Sequence, residues 1–599
     1  MAQEDSSDQE ENPRGHHAPE HAETKHDRVM EGTKDEESKA PKFAKHKQWW
    51  TWALAHKKIS IPVAIVVLVG LLAAVPFTRY ELAGLVLKQN FAVTVIDSQT
   101  SKPVTSATVM LGGKTVSTDS KGHATLHVKV GTTTLEVSKT YYKTSDSSVT
   151  VPLGKQKQAA QVSLVATGRQ VPVVVLNTIS GKPVANALVT AGKSEAKTDT
   201  KGEATIVVAA NAQNLATTVS LSGYNEANVK LKVTAGVDPA NTFKVTPAGK
   251  VYFLSNLSGK IDVVKTNLDG TARQTVLAGT GSESPSNTTL LASTDWKYLA
   301  LLSQRDGGTN PKLFLINTSN DQLTTMDEGN ATFSVIGWSG HYFVYTVDRG
   351  TTVQYWQNNR FAIKSYNAEA GQIAVLDQSQ AQGDANSYAY QYFDYPFIVG
   401  NKLVYVERWY NYLANAFFYT PVDMTVKTDA IRAVQVDGQN KKDLKTFPAA
   451  SSGGWYALPS EVNVIYYQHY NNSGADVNYY EYDDGAVKDL TITSDQFYNN
   501  PSYKNYLYSP SGNLTFWSES RDGKNVLFVG DQDAKNSKQV ATLSDYAVDG
   551  WYTDQYLLVS KNGSELYIMP ASGITSDSQA FKVTDFRPSQ NYYGYHGGY

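Results

Sequence analysis

The 599-residue chain has no cysteine, which excludes disulfides and every thiolate metal site. Histidine is sparse, eleven in all. His16, His17, His21 and His26 lie in a polar N-terminal stretch, and His123 and His127 stand about 13 Å apart on an extended strand, too far to share a metal. A net charge of −3 gives no bulk means of neutralising phosphates, so nucleic acid is not an expected partner. Gly-x-Ser-x-Gly is absent, as is a glycine-rich phosphate loop between strand and helix. Asp531-Gln532-Asp533-Ala534-Lys535-Asn536 puts a lysine where a calcium loop needs an oxygen. No metal, cofactor or catalytic residue is therefore expected, and the chain does not read as an enzyme.

Long apolar runs are scarce too, with one exception. ISIPVAIVVLVGLLAAVPF, Ile59 to Phe77, holds nineteen residues without a charge. At about 1.5 Å per residue it would span about 29 Å, the thickness of a bilayer core. Trp49, Trp50 and Trp52 precede it, Tyr80 follows it, and the flank from Ser38 to Lys58 carries six lysines and no acid. The pattern predicts a transmembrane helix over 59–78, a single-pass anchor in the cell membrane with a cytoplasmic N-terminus and extracytoplasmic C-terminal domains. Residues 1–58, with twelve acidic and ten basic side chains, cannot bury enough surface to offset chain entropy and read as a disordered cytoplasmic tail. Residues 79–90 read as a linker.

Past the linker, one pattern is written twice. KPVTSATVMLGGKTVSTDSKGHATLHV, from Lys102, and KPVANALVTAGKSEAKTDTKGEATIVV, from Lys182, share thirteen of twenty-seven residues. Self-similarity at a spacing of eighty marks two copies of one structural unit. Val93 and Val95, then Ala107, Val109 and Leu111, alternate with polar residues, the period of a half-buried strand. Thr-Asp-x-Lys-Gly places Gly122 and Gly202 at tight turns. The order Lys-Pro-Val, alternating strand, Thr-Asp-x-Lys-Gly, second strand, then Tyr141-Tyr142 or Gly223-Tyr224 resembles carboxypeptidase regulatory-like domains, which are transthyretin-like. The resemblance implies seven-stranded Greek-key β-sandwiches over 91–165 and 168–234, serving as spacers or binding modules.

From Pro247 the rhythm changes. Strand cores at VYFLS (251), YLALLS (298), YFVYTV (342), LVYVER (403), VIYYQH (464), LTFWSE (514) and YLLVSK (556) are each followed by a hairpin partner. Intervals of about 42–61 residues with several strands each predict propeller blades, about seven of them. YSPSGNLTFWSESRDGKNVLFV, from Tyr508, resembles the repeat of TolB-like, WD40-like propellers, with Ser511 where that pattern has Asp. The expected fold is all-β: two tandem β-sandwiches and a β-propeller over 245–587, then a Tyr/Gly-rich tail over 588–599.

Tyrosine is the abundant residue, with 27 of 37 after residue 387. Aromatic segments fall between expected strands, on the connections that emerge on one face, which in related propellers commonly binds ligands. SYAYQYFDYP (387–396) and FYNNPSYKNY (497–506) lead into new blades. VQYWQNNR, RWYNYLANAFFYTP and QHYNNSG join second strands to third. Candidate ligand-binding residues are Tyr355, Trp356, Arg360, Arg408, Trp409, Tyr410, Tyr412, Phe417, Phe418, Tyr419, His469 and Tyr470, since exposed aromatics with Arg and Asn suit interfaces. The alternative is that these rings only cover one another. The expected function is recognition of an envelope or surface protein or a glycan by a membrane-anchored, exported propeller. Two rivals are an enzyme of lyase or glycosidase type in the propeller funnel, whose candidate carboxylates are Asp348, Glu407, Glu519 and Asp522, and a structural scaffold subunit of an envelope complex.

Overall fold

A computed structural model describes residues 56–74, 80, 83–84, 86–234, 241–449 and, in pieces, 454–584. Most of the expected tail over 1–58, and all of that over 588–599, lie outside the described residues. Lys57–Ala74 forms an α-helix, and its described large apolar side chains from Ile59 to Leu71 are all more than half exposed. It begins two residues earlier than expected, with two lysines inside it, and its 18 residues rise about 27 Å. Among the described residues no helix is long and apolar enough to cross a membrane, so the spanning helix expected over 59–78 is not shown, and its residues 75–78 lie outside the described residues.

From Lys88 the chain is β-structure. The first repeat folds as a three-stranded sheet and a four-stranded sheet, and the second repeats the same order strand for strand. Alternation produces the core. Strand Arg169–Asn177 (RQVPVVVLN) buries every second residue, and Val171, Val173 and Val175 meet Val189, Val219 and Leu231 of the facing sheet. The second unit extends past the expected end at 234: Asn241–Val245 pairs in parallel with Arg169–Asn177, as Ala160–Leu164 pairs with Lys88–Asp97 in the first.

Seven antiparallel sheets then follow in sequence order: blades 1 to 7, over 250–277, 289–327, 332–378, 381–448, 454–490, 507–543 and 546–584. Buried residues join blade 2 to 3, 3 to 4, 4 to 5 and 6 to 7. Blade 1 shares one core with both blade 2 and blade 7, where Val251, Phe253 and Val264 pack with Leu299, Ile316, Tyr552 and Leu558. Tyr552 O–H also donates to the Lys250 carbonyl at 3.3 Å. The last blade thus meets the first, and the seven sheets close into a propeller.

Topology gives the ring two distinct faces. Turns joining first to second and third to fourth strands lie on one; loops joining second to third strands, and blade to blade, lie on the other. The second two-sheet unit docks on the turn face. Ile179 is buried in the core of blades 1, 2 and 7, and Asn177 Nδ2 donates to the Tyr556 hydroxyl oxygen, beside a turn of blade 7, at 2.9 Å. Thr246 donates to Asp269 at 2.5 Å. Among the described residues, none of these contacts lies on the loop face.

Candidate functional site

Blade 4 reaches furthest onto the loop face. Its strands Ser387–Val399 and Lys402–Leu413 are 13 and 12 residues long, against 6 to 8 for most of the others. The segments 387–396 and 408–413, expected as connections, are therefore strand. Tyrosine at every second position favours that outcome, because rings pair well across neighbouring strands. In register, Tyr388 faces Tyr412, Tyr390 faces Tyr410 and Tyr392 faces Arg408. Ring centroids lie 4.9 Å apart for the first pair and 5.6 Å for the second, both stacked.

The second-to-third-strand loop of blade 3 brings more rings. Tyr355 lies 4.7 Å from Tyr390 and 6.1 Å from Tyr388, and Trp356 lies 5.8 Å from Tyr388. Arg360 fixes that loop: its guanidinium sits 3.7 Å over the Tyr355 ring, 3.2 Å from Asp348, and donates to the Val353 carbonyl at 3.1 Å. Tyr355, Trp356, Arg360, Arg408, Tyr410 and Tyr412 thus come together. Tyr388, Tyr390 and Tyr392, which complete the ladder, were not among the expected site residues, although their period-two spacing is in the sequence.

Trp409 departs from expectation. Successive strand residues point to opposite sides, so it turns away from Tyr410 and is buried against Ala389, Ala449, Val422 and Met424. It is a core residue of blade 4. Phe417 and Phe418 do the reverse, 96% and 80% exposed, while Tyr412 and Tyr419 are about half so at 48% and 40%. His469 and Tyr470 end strand Asn463–Tyr470, and their side chains lie outside what is described. The aromatic connection over 497–506 lies outside the described residues as well.

Two charge networks brace the ribbon. Arg432 contacts Asp377 at 2.8 Å, Glu407 at 3.0 Å and Asp443 at 2.5 Å. Lys441 also meets Asp377 at 2.9 Å, Tyr405 donates to Asp377 at 2.5 Å, and Gln391 donates to Glu407. Three carboxylates share two cations, which leaves one negative charge in excess. Burial accordingly pushes Glu407 up to about 7, with Arg432 opposing and Asp377, Asp443 and Asp429 adding to the rise. For Asp377 burial acts upward too, but hydrogen bonds from Tyr405, Arg432 and Lys441 hold it below the usual carboxylate range. In the second network Arg408 lies 4.7 Å over Tyr410, between Asp394 at 4.0 Å and Asp429 at 3.8 Å. Tyr410 O–H donates to Asp394 at 2.7 Å, and burial raises Asp429 to about 6 despite the Trp409 N–H it accepts.

Of the four carboxylates suggested for glycoside cleavage, three are held by arginines and the fourth lies in a turn. Asp348 is held by Arg360 and Glu407 by Arg432. Glu519 binds Arg521 and accepts from the Trp517 indole, and Asp522 occupies a hairpin turn at φ 50. Among the described residues no group of three or more His, Asp or Glu side chains is placed to hold a metal ion. The aromatic segments themselves carry no charge: 350–359, 385–393 and 409–422 hold no Asp, Glu, Lys or Arg, in a chain that is 19% charged, and the arginines against their rings, Arg360 and Arg408, lie just outside them.

No family model matches the chain, and no curated protein matches it. Among solved structures it is similar to an oligogalacturonate lyase from Vibrio parahaemolyticus (12% identity, TM-score 0.28, 56% of this chain and 85% of that one). It is also similar to the β-propeller domain of the trilobed protease from Pyrococcus furiosus (12%, 0.30, 57% and 94%) and to TolB from Acinetobacter baumannii (12%, 0.24, 54% and 75%). Likeness at these scores carries no argument, and the propeller assignment rests on the seven closed sheets.

Proposed function

We propose that this chain is a non-catalytic recognition protein whose propeller binds an uncharged partner, an envelope or surface protein or a glycan, through the tyrosine ladder of blades 3 and 4. One observation carries the reading: six tyrosines and a tryptophan from two blades gather on the loop face, flanked by segments without charge. Rings held by neighbours lose little conformational freedom on binding and suit anchoring contacts. In the same reading the two units that resemble carboxypeptidase regulatory-like sandwiches act as a stalk, and residues 59–78 anchor the chain in the cell membrane, N-terminus inside. The lysine-rich flank supports that orientation.

The test is a glycan and surface-protein binding screen with the full chain, followed by alanine variants of its exposed rings. Tyr392→Ala and Tyr412→Ala should each cost about 1–3 kcal/mol of binding with the melting temperature little changed, since both rings are 40% or more exposed. Unchanged capture with lowered melting would show instead that the rings only stiffen the ribbon.

A further inference from the structure

Beyond the ladder, the loop between Leu413 and Thr428 ends in a tip that the fold holds out into solvent. Both its ends are tied down: Ala414 N–H donates to the Asn386 carbonyl at 2.8 Å, and Ser387 O–H to the Thr420 carbonyl at 2.7 Å. Val422 and Met424 tuck beside Trp409. Within the tip, Asn415 organises a turn: its side chain accepts the Phe417 N–H at 2.8 Å, and its carbonyl accepts the N–H groups of Phe418 and Tyr419 at 3.2 and 3.0 Å. Phe417 and Phe418 are thus displayed by a bonded turn, with all or most of each ring in water.

The gradient of side chains narrows the partner. The two phenyl rings are the most exposed, and Tyr419 and Tyr412, apolar rings with a polar end that flank them in the chain, are 40% and 48% exposed. Apolar rings most exposed, with tyrosines less so, is the order a bilayer interface selects, acyl region first and headgroups next. A glycan offers little to an exposed phenylalanine, which has no hydrogen-bonding group. The absence of charge from 409–422 then decides which lipid: anionic surfaces are read by clustered Lys and Arg, and the tip has none. We infer that Phe417 and Phe418 insert into the interface of an electrically neutral lipid surface, docking the loop face of the propeller on a membrane. This does not depend on the ladder being a recognition site, because Phe417 and Phe418, which carry it, are not rings of the ladder.

The chain's lack of cysteine allows a local test in the full-length protein. Ala416→Cys, beside the tip but leaving both phenylalanines in place, takes an environment-sensitive dye; Gln439→Cys, in an exposed turn on the opposite face, serves as control. With phosphatidylcholine vesicles the dye at 416 should shift to the blue and be quenched by lipid-borne quencher, and the dye at 439 should do neither. Adding Phe417→Ser and Phe418→Ser should abolish the shift at 416. It should persist in about 1 M salt, where charges are screened beyond about 3 Å. A dye at 416 that behaves like the control overturns the inference and points to a protein pocket for the two rings. Persistence of the shift after both Ser substitutions, or its loss in salt, overturns it equally.

Discussion

Replacing Glu407 by Gln should change how the propeller's stability depends on pH, in a direction that the charge count around Arg432 fixes. Glu407 is 2% exposed and titrates near 7 in the folded chain against 4.5 for the free side chain. Its folded pKa lies above its unfolded one, so between those values the folded state holds a proton that the unfolded state has released. Stability from this group is therefore full below about 4.5, falls as pH rises through the window from 4.5 to about 7, and is flat above it. A displacement of that size corresponds to about 3 kcal/mol. The glutamine amide would stay neutral throughout while still accepting from Arg432; it would lose the bond from Gln391, whose own oxygen is held by the Gln380 N–H at 2.9 Å, a cost that does not vary with pH.

The assay is a pair of urea titrations from pH 4 to pH 8, read by tryptophan fluorescence. The difference between variant and wild type isolates residue 407 from the other carboxylates. Relative to wild type, Glu407→Gln should gain with rising pH, by about 3 kcal/mol between pH 4.5 and 7, and the gain should then level off. A pH-independent difference, or one that grows toward acid, would refute the claim that burial and crowding by Asp377 and Asp443 outweigh the pull of Arg432.

Arg432→Met should be far more damaging, by about 3–5 kcal/mol, because it leaves Asp377, Glu407 and Asp443 without their shared cation; a lowered urea midpoint at pH 7 checks it. Trp409→Ala should cost about 3–5 kcal/mol as a large-to-small core change, seen as a melting shift with ligand capture per folded molecule unaltered. Gly122→Ala and Gly202→Ala, both at φ +72 with an added Cβ driven against the carbonyls of Val95 and Val175, should each destabilise their own unit by at least about 1–2 kcal/mol. Matching losses in calorimetry are the expected result. Tyr556→Phe should cost about 1 kcal/mol, and a double-mutant cycle with Asn177→Ala should show coupling between the two positions.

How much of this was legible in the sequence depends on the range of the interactions. The repeated unit was readable because its alternation is local: Val171, Val173 and Val175 announce a half-buried strand wherever they occur. Its final strand was not. Asn241–Val245 joins the sheet only by parallel pairing with a strand some seventy residues earlier, and nothing in NTFKV itself says where it goes. The propeller rhythm was likewise local, whereas the ribbon of blade 4 reads as connections because Tyr and Asn crowd its sequence. Its period of two was nevertheless present at Tyr388, Tyr390 and Tyr392. Once the strand is recognised, neighbours such as Trp409 and Tyr410 fall on opposite sides, and the aromatic insertion divides into a core tryptophan, ladder tyrosines and a tip. The charge networks were out of reach, since Asp377, Glu407, Arg432 and Asp443 come from four strands.

Duplication of the two-sheet unit also sets where the propeller is held. Asp97 Oδ1 caps a turn by accepting the N–H groups of Gln99 and Thr100 at 2.9 and 2.8 Å, and its other oxygen accepts from Gln170 of the next unit at 2.7 Å. Eighty residues on, Asn177 Oδ1 caps the matching turn, accepting from Ile179 and Ser180 at 2.8 and 3.0 Å. Its nitrogen donates to Tyr556 of the propeller at 2.9 Å. One position in the repeat thus does the same two tasks in both copies: it shapes a turn and holds whatever domain comes next. The joint to the propeller is a second use of the joint between the two units, buried at Ile179 and therefore costly to open. A joint so placed occupies the turn face of the ring at blades 1 and 7, on the side away from the ladder and the phenylalanine tip.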